Sequence, residues 1–448
     1  MNQSDRLNLY IIVLTVMFLI VVIGVFRPLI TSNSNTNTNS NTNSNTSKPN
    51  GIENINNSTT EYEGLNDSYK VRVVGNQLID QNNNSLHLVG SVISLEYDVS
   101  ESLLFTNVNE HMFKTINESG ANYVTIGVNS ELWSNNARQS EYRDRVNEII
   151  GWCRKYELYY QLKLQSVGSG SLRGTYPNGQ YCRAGNNWQL TDPNYVKVGA
   201  DGKHYPSTPF RERAFSMWID LAKLYGNDPN LLGYSLLNEP YSEDDWSKWE
   251  NVIKYYEDCI RQITQVDPYG IFFVMAPKDY GVDLIDWISD SNPYKGYLNN
   301  TNVVYEYHNY YKNYATWVGA WGYQFYMGNE TQGQIDAYNW HITKIMPVYN
   351  DDHPVFCGEF GISGVNSLAL EEPRNMIVNN YEAGNNAQIQ IMNELGIHWT
   401  MFYMRATRDG NAWGMTNIDG IGLSERGEIW ANNIPEGLHR PIKIQIND

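Results

Sequence analysis

From Tyr69 onward the chain alternates short apolar runs with amphipathic stretches, and this alternation limits the possible folds more than any other feature of the sequence. Apolar runs of about four to eight residues between turn-forming residues are typical of buried strands, whereas apolar residues at every third or fourth position are typical of surface helices. A regular alternation of the two predicts βαβ units and a parallel sheet. The sequence therefore predicts an α/β fold.

The strand candidates are numerous enough to close such a sheet into a (β/α)8 TIM barrel, whose active site lies at the carboxyl ends of the strands. Clear amphipathic segments fall between them, at residues 142–156, 209–225, 246–266 and 386–395. The strand candidates are residues 86–92, 122–128, 158–164, 231–237, 271–276, 303–307, 354–357 and 397–403.

Two strand candidates end near a glutamate in a tight local frame. Glu239 lies in LLGYSLLNEP at residues 231–240, and Glu359 lies in PVFCGEFGI at residues 354–362. A carboxylate at the carboxyl end of a parallel strand points into the site that the strand ends form. Two of them suit cleavage of a glycosidic bond, because one carboxyl protonates the leaving oxygen while the other attacks, or activates water, at the sugar carbon. Taken singly, each glutamate could also be a surface residue that begins a loop.

The frames around the two glutamates resemble the acid/base and nucleophile strands of glycoside hydrolase family 5. Asn238 and Glu239 precede a proline and follow YSLL, while the GEFG that contains Glu359 follows PVFC. The resemblance extends from about residue 69 to residue 430. Within it, VRVVGNQLIDQNNNSLHLVG resembles the entry hairpin and first strand of the family, and YEYHNY at residues 305–310 resembles its sixth strand.

This resemblance implies a retaining endo-β-1,4-glycosidase with Glu239 as acid/base and Glu359 as nucleophile. It also implies that Asn238, His308 and Tyr310 contact the reacting sugar or the catalytic carboxyls. The implied substrate is a β-glucan polysaccharide or oligosaccharide, with a β-mannan as the close alternative. An alternative of another class is a non-hydrolytic carbohydrate-binding surface protein on the same barrel. Neither a metal nor an organic cofactor is expected, because two carboxyls suffice for this chemistry.

The chain departs from the family pattern at several inward positions. Thr125 stands where the second strand of the family carries an arginine near the nucleophile. Lys163 and Gln165 stand where the third strand carries an aspartate and a terminal histidine. Phe402 stands where the eighth strand carries the tryptophan beneath the reacting sugar. We expect Gln165 and Phe402 to bind substrate and to lie where glucan and mannan are discriminated.

The missing arginine matters because a carboxylate in a dry site without a nearby cation shifts toward its neutral form. Strand parity points Lys163 inward from the strand next to Thr125, so Lys163 is a candidate replacement, with Glu306 as a partner. A buried Lys163–Glu306 pair with no catalytic role is the equal alternative. His308 shares the parity of Glu306 and is expected to reach the site, whereas His398 is expected to be structural.

The N-terminal part of the chain has a different character. Residues 10–26, YIIVLTVMFLIVVIGVF, are uncharged and lie at the short end of the roughly 17–25 residues that span a bilayer. No small-residue cleavage motif follows, which favours an uncleaved membrane anchor over a signal peptide. The predicted organisation is an anchor or signal region at residues 1–30, a disordered linker rich in Asn, Ser and Thr at 31–61, and a catalytic domain at 62–448. The catalytic domain would be extracellular and membrane-anchored, or secreted.

The overall composition excludes some partners. A net charge of −17 argues against nucleic acid, which requires a basic surface. The four cysteines, Cys153, Cys182, Cys259 and Cys357, lack the paired spacing of a zinc site, and we expect buried free thiols. Thirteen Trp and 33 Tyr suit a cleft that stacks on sugar rings, and we expect a monomer.

Overall fold

The structure is a computed structural model that describes most of the chain between residues 70 and 441. The chain divides into two units, Met1–Ser58 and Thr59–Asp448, and every described residue belongs to the second. The predicted anchor and linker therefore lie outside the described residues. Among the residues that are described, no helix is long and apolar enough to cross a membrane. The described residues are 70–94, 108–134, 139–166, 196–198, 204–206, 208–240, 246–277, 284–293, 298, 302–309, 324–325, 328–361, 374–402, 404, 414–416 and 422–441.

A closed barrel of parallel strands forms the centre of the second unit. The strands are β1 Arg72–Val74, β2 Gln77–Ile79, β3 Val89–Ser94, β4 Tyr123–Asn129, β5 Tyr159–Ser166, β6 Val196–Val198, β7 His204–Pro206, β8 Leu231–Ser235, β9 Phe272–Met275, β10 Val303–Asn309, β11 Val355–Phe360 and β12 His398–Met401. The barrel order is β3, β4, β5, β8, β9, β10, β11 and β12, and β12 pairs with β3 to close the ring. β1 pairs with β2, and β6 with β7, as antiparallel hairpins.

All but the last of the described helices lie between successive barrel strands, as the sequence predicts, and the last follows the final strand. The described helices are α1 Glu110–Glu118, α2 Ser130–Ser134, α3 Gln139–Lys155, α4 Thr208–Tyr225, α5 Trp246–Ile263, α6 Glu330–Lys344, α7 Met346–Asn350, α8 Arg374–Glu394 and α9 Glu425–Ala431, with a 3-10 helix at Leu284–Trp287. All eight predicted strands overlap a barrel strand, with ends that differ by a few residues. α8 begins well before the predicted residue 386. The predicted (β/α)8 barrel is confirmed.

Burial on both faces explains why the barrel strands have nearly continuous apolar sequences. Every residue of β4 and of β10 is buried, because one face lines the barrel interior and the other contacts the surrounding helices. The helices instead bury one stripe. In α3, Tyr142, Val146, Ile149 and Cys153 recur at intervals of three or four residues and are buried.

The barrel interior is apolar at its amino-terminal end and polar at its carboxyl-terminal end. Tyr123, Tyr159 and Phe356, near the beginnings of their strands, form one buried cluster, and Leu78 of the β1–β2 hairpin packs against it. Further along the strands the buried side chains include Lys163 and Glu306. The hairpin therefore closes the apolar end, and the polar groups collect where the sequence predicts the site.

Candidate active site

Glu239 lies just beyond the carboxyl end of β8 in a constrained backbone conformation. The backbone N–H of Asn238 donates to the carbonyl oxygen of Leu164 on β5 (2.9 Å) and holds this turn against the barrel. Glu239 has φ of +43°, in the left-handed region that costs a non-glycine residue about 1–3 kcal/mol. Its side chain is 22% exposed. The turn thus holds one carboxyl at the mouth of the barrel, within reach of both solvent and the interior.

Glu359 projects inward from β11 at an irregularity in the sheet. Tyr307 of β10 pairs with Cys357, but His308 pairs with Glu359, so Gly358 is an extra residue in β11. A bulge of this kind re-aims the side chain that follows it. Gly358 itself lies against Glu306, and a Cβ at Gly358 would be 1.9 Å from Glu306 Oε1. The bulge therefore directs Glu359 toward the interior while leaving room for a second carboxylate beneath it.

The two glutamates lie close together on either side of His308. A carboxylate oxygen of Glu239, a carboxylate oxygen of Glu359 and a ring nitrogen of His308 all lie within 4.8 Å of one another. His308 Nδ1 is 2.8 Å from Glu239 Oε1 and 3.7 Å from Glu359 Oε2. Carboxyls about 5–5.5 Å apart are typical of retaining glycosidases, and inverting enzymes need about 6.5–9.5 Å. In this chain the nearest oxygens of the two carboxyls lie within 4.8 Å of each other.

Lys163 extends from β5 across the barrel into this carboxylate cluster. Its fully buried ammonium nitrogen is 3.0 Å from Glu359 Oε1, 3.0 Å from Glu306 Oε1 and 2.9 Å from His308 Nε2. The Ser235 hydroxyl of β8 donates to Glu306 Oε2 (2.6 Å). Lys163 therefore pairs with Glu306, as both interpretations of the sequence expect, and it also contacts Glu359, as a replacement for the missing arginine would.

Proton affinities within the cluster follow from its charges. Burial lowers the pKa of Lys163, but the negative charges of Glu306 and Glu359 outweigh it and raise that pKa above the ordinary value. Burial raises the pKa of Glu306, but the Lys163 charge and then the contacts with His308 bring it to about 2. Burial lowers the pKa of His308, yet the Glu359 charge raises it above the ordinary value against the opposing charge of Lys163. At neutral pH the buried lysine and Glu306 are both ionised.

The other residues predicted to contact substrate differ in how far the structure places them. Gln165 is buried, and its Nε2 donates to Glu359 Oε1 (3.3 Å). Phe402 follows β12, where its N–H donates to the carbonyl oxygen of Phe360 (3.1 Å) beside β11, and its side chain is half-buried. Tyr310 lies outside the described residues. Gln165 therefore belongs to the carboxylate cluster, and the backbone of Phe402 is fixed next to the strand that carries Glu359.

Thr125, which stands at the position of the family arginine, lies deeper in the barrel than the glutamates. The register pairs Thr125 with Gln161, and it pairs the residue two positions later in β4 with Lys163. The Thr125 hydroxyl lies 3.2 Å from both Tyr123 OH and Gln161 Oε1. These uncharged groups separate the buried apolar cluster at the amino-terminal end of the barrel from the charged cluster around Lys163.

His398 lies at the opposite end of the barrel. It begins β12, is buried, and its Nδ1 accepts a hydrogen bond from the Leu88 backbone N–H (3.2 Å). This placement agrees with the structural role expected for it. Of the cysteines, Cys153, Cys259 and Cys357 are buried and free, as predicted. Cys182 lies outside the described part of the chain.

Two functional positions, Ser235 and Gly358, escaped the sequence analysis. Ser235 shares strand parity with Glu239 inside an otherwise apolar run, which indicates an inward polar group. Gly358 is a glycine within a strand pattern, a sign of a bulge or of a close approach by another group. Both signals were present in the sequence, but neither indicates that Glu306 is the neighbouring group.

Glu239, His308 and Glu359 are also residue types that can hold a metal ion. Here, however, His308 Nδ1 and Glu239 Oε1 are hydrogen-bonded to each other, and the Lys163 ammonium contacts Glu359. A divalent ion would lie beside this fixed positive charge and be repelled by it. The three residues therefore form a hydrogen-bonded set beside a fixed positive charge.

Comparison with known proteins identifies the class to which this barrel and carboxylate pair belong. The family model for cellulases, glycosyl hydrolase family 5, matches residues 79–407. The chain belongs to this family and is a glycoside hydrolase. Cellodextrinase A of Ruminococcus flavefaciens is 22% identical over 277 residues, which is 60% of this chain and 73% of that protein. The chain spans about half the length of the bacterial endoglucanases that it also matches.

Solved structures show the same fold. A beta-glucanase from Saccharophagus degradans has a TM-score of 0.56 at 17% identity, with 81% of this chain and 92% of that chain covered. It has also been crystallised in complex with cellotetraose. The catalytic domain of a mannanase from Streptomyces has a TM-score of 0.50 at 16% identity, covering 84% of this chain and 93% of that one.

Proposed function

We propose that the chain is a retaining endo-β-1,4-glycosidase that hydrolyses a β-glucan, with Glu239 as acid/base and Glu359 as nucleophile. The observation that carries the proposal is the carboxylate pair, in which one oxygen of each carboxyl lies within 4.8 Å of the other at the carboxyl end of a family 5 barrel. Closely spaced carboxyls support a retaining mechanism, in which no water molecule lies between nucleophile and sugar.

In the first step, Glu359 attacks the anomeric carbon while Glu239 gives its proton to the departing glycosidic oxygen. The bond from the anomeric carbon to that oxygen breaks, and a bond to a Glu359 oxygen forms. Lys163 and Gln165 both donate to Glu359 Oε1, so the nucleophile is anchored through one oxygen. Anchoring reduces the motion that the carboxylate must lose on the way to the transition state.

In the second step, Glu239 acts in the opposite direction. Now a carboxylate, it removes a proton from a water molecule whose oxygen attacks the anomeric carbon and releases Glu359. The side chain of Glu239 is partly exposed and that of Glu359 is almost fully buried, so water can reach Glu239 first. The hydrogen bond between His308 Nδ1 and Glu239 Oε1 orients the carboxyl for both steps.

Glucan is preferred over mannan as the substrate because the names of the sequence relatives are cellodextrinase and endoglucanase, and one structural relative was crystallised with cellotetraose. The mannanase among the structural relatives supports β-mannan as the second candidate. Both polymers are β-1,4-linked, and the sugars differ at one hydroxyl. We place the discrimination at Gln165, which touches the nucleophile, and at Phe402.

The test is release of reducing sugar and oligosaccharides from soluble β-glucans and β-mannans by the purified protein, with Glu359→Ala as the matched inactive control. We expect release from a β-glucan that the control lacks. Release from β-mannan alone would transfer the assignment to mannanase. Binding to polysaccharide without release by either protein would instead support a non-hydrolytic carbohydrate-binding protein.

We further propose that residues 10–26 tether the enzyme to a membrane, with the catalytic domain outside the cell. The support is the uncharged apolar sequence and the lack of a cleavage motif after it. Mass spectrometry of protein from its native source should find peptides from residues 1–30. A mature N-terminus after residue 26 would show a removed signal peptide and a secreted enzyme.

A further inference from the structure

We infer that Lys163 is a positioning residue that fixes His308 in its neutral Nδ1–H tautomer and thereby gives the two catalytic glutamates different electrostatic surroundings. The inference rests on the proposed roles of Glu239 and Glu359. Lys163 stands where the sequence departs from the family pattern, so the inference does not follow from those roles alone.

The donors and acceptors at the lysine determine the tautomer. An ammonium group has three N–H donors and no acceptor. Lys163 Nζ has Glu359 Oε1, Glu306 Oε1 and His308 Nε2 at 2.9–3.0 Å. Glu306 Oε1 also lies 3.5 Å from His308 Nε2, and it and the Glu359 charge favour protonation of the ring. The ammonium is closer, at 2.9 Å, and can only donate, so Nε2 accepts from it and carries no proton in the neutral ring. Nδ1 then carries the proton, which it donates to Glu239 Oε1 at 2.8 Å.

Buried neighbours hold the lysine in this place. Glu306 pairs with it, Ser235 fixes the other oxygen of Glu306, and Gly358 leaves the space that Glu306 occupies. Other titratable groups near Glu306 are neutral at working pH, because burial raises the pKa of each well above its ordinary value. These groups are Tyr123, Tyr256 and Cys357. The titratable groups that face Lys163 are thus Glu306, Glu359, His308 and, through His308, Glu239.

This arrangement gives the two catalytic carboxyls different surroundings. Glu359 faces the ammonium directly, which favours its ionised form as a nucleophile requires. Glu239 instead accepts from the Nδ1–H of a neutral imidazole, so no cation faces it directly. An imidazolium at 2.8 Å would place a positive charge beside Glu239 as well. Lys163 thereby acts on both carboxyls. Surroundings that separate the pKa values of two carboxyls are typical of acid/base pairs.

The first test is NMR of the two ring nitrogens of His308 in protein labelled with ¹⁵N-histidine, assigned by the loss of signals in His308→Gln. As the pH is raised and the imidazolium disappears, the wild-type ring should show a protonated Nδ1 and an unprotonated Nε2. In Lys163→Met the imidazolium should persist to higher pH, because Glu306 and Glu359 remain and the opposing charge of Lys163 is gone. A wild-type ring with the proton on Nε2 overturns the inference, even if the variant does not fold.

The second test is the pH dependence of kcat/KM on an activated aryl β-glycoside. Lys163→Met should narrow the profile from both sides, with the acidic limb moved up by about 1–3 pH units as Glu359 loses its cation. The basic limb should move down as imidazolium forms beside Glu239. Gln161→Met is the matched control, because Gln161 is buried on the same strand and bonds Tyr123 instead of the glutamates.

A merely structural Lys163 would behave like the Gln161→Met control, with lower thermal stability and unmoved limbs, and this result would overturn the inference. The two tests also separate it from the proposed function. If no glycoside is cleaved by the wild type, the proposed function fails, while the ring-nitrogen signals still decide the tautomer. If the wild type is active and the Nε2–H tautomer is found, the inference alone fails.

Discussion

Glu306 occupies the space in which a side chain at position 358 would lie, since a Cβ on Gly358 would be 1.9 Å from Glu306 Oε1. Glu306 cannot simply move aside, because Ser235 holds its other oxygen and Lys163 pairs with it in a fully buried position. The Lys163–Glu306 pair beneath Glu359 therefore requires a residue without a side chain at position 358.

Gly358→Ala should consequently displace Glu306 and disturb Lys163. We expect the free energy of unfolding to fall by about 1–3 kcal/mol, as for overpacked cores, and kcat to fall more than KM rises. Chemical denaturation and steady-state kinetics measure the two effects. The control is Gly151→Ala in α3, where an added Cβ meets nothing within 4 Å. This variant should be equally or more stable, by up to about 1 kcal/mol. Equal behaviour of the two variants would contradict the steric argument.

The fold was predictable from the sequence because each barrel strand is an apolar run between turn formers. β4 and β10 are buried along their whole length, and such runs are recognisable without knowledge of their neighbours. Glu239 and Glu359 were predictable for the same reason, since each follows or ends such a run. Ends of elements were less certain, as the early start of α8 at Arg374 shows.

The contacts inside the barrel were only half predictable. Parity gave the direction of Lys163 and of Glu306, but β5 and β11 are not neighbours, and only the packed barrel shows that the lysine reaches across to Glu359. The extra residue at Gly358 breaks parity in β11, so counting along the strand cannot place Glu359 relative to His308. The contacts of long side chains and the positions of bulges depend on packing between strands, and the sequence pattern of a single strand does not contain that information.

The stereochemistry of cleavage should follow from the separation of the two carboxyls. Two successive displacements at the anomeric carbon return the starting configuration, so the first product released from a β-glucan should be the β anomer. Proton NMR during the first minutes of hydrolysis, before mutarotation equilibrates the anomers, makes the distinction. Initial appearance of the α anomer would exclude Glu359 as a nucleophile and would require a water molecule between it and the sugar.

His398 should make stability depend on pH. Burial lowers the pKa of His398 to about 3, and the charge of His87 adds to the effect. An unfolded histidine has a pKa of about 6.5, so between these values the unfolded chain binds more protons than the folded one. Stability is therefore complete above about pH 6.5 and is lost progressively as the pH falls toward about 3.

His398→Asn tests this, because the asparagine oxygen can still accept from the Leu88 N–H but does not titrate. The slope of unfolding free energy against pH should decrease by at most about 1.4 kcal/mol per pH unit in that window. Urea denaturation at a series of pH values measures the slope. Equal slopes for the wild type and His398→Asn would refute the prediction.

Glu239→Ala and Glu359→Ala should behave differently on a substrate whose leaving group needs no protonation. Glu359→Ala removes the attacking atom, so no glycosyl-enzyme can form with any substrate. Glu239→Ala keeps the nucleophile, and with an activated aryl β-glycoside it should form the glycosyl-enzyme and then stall, because no base activates water. A burst of phenol followed by slow turnover is expected. Azide needs no deprotonation, so adding it should restore turnover and give a glycosyl azide of retained configuration. A burst from Glu359→Ala and none from Glu239→Ala would reverse the two roles, and ordinary activity of both variants on polysaccharide would move the active site elsewhere.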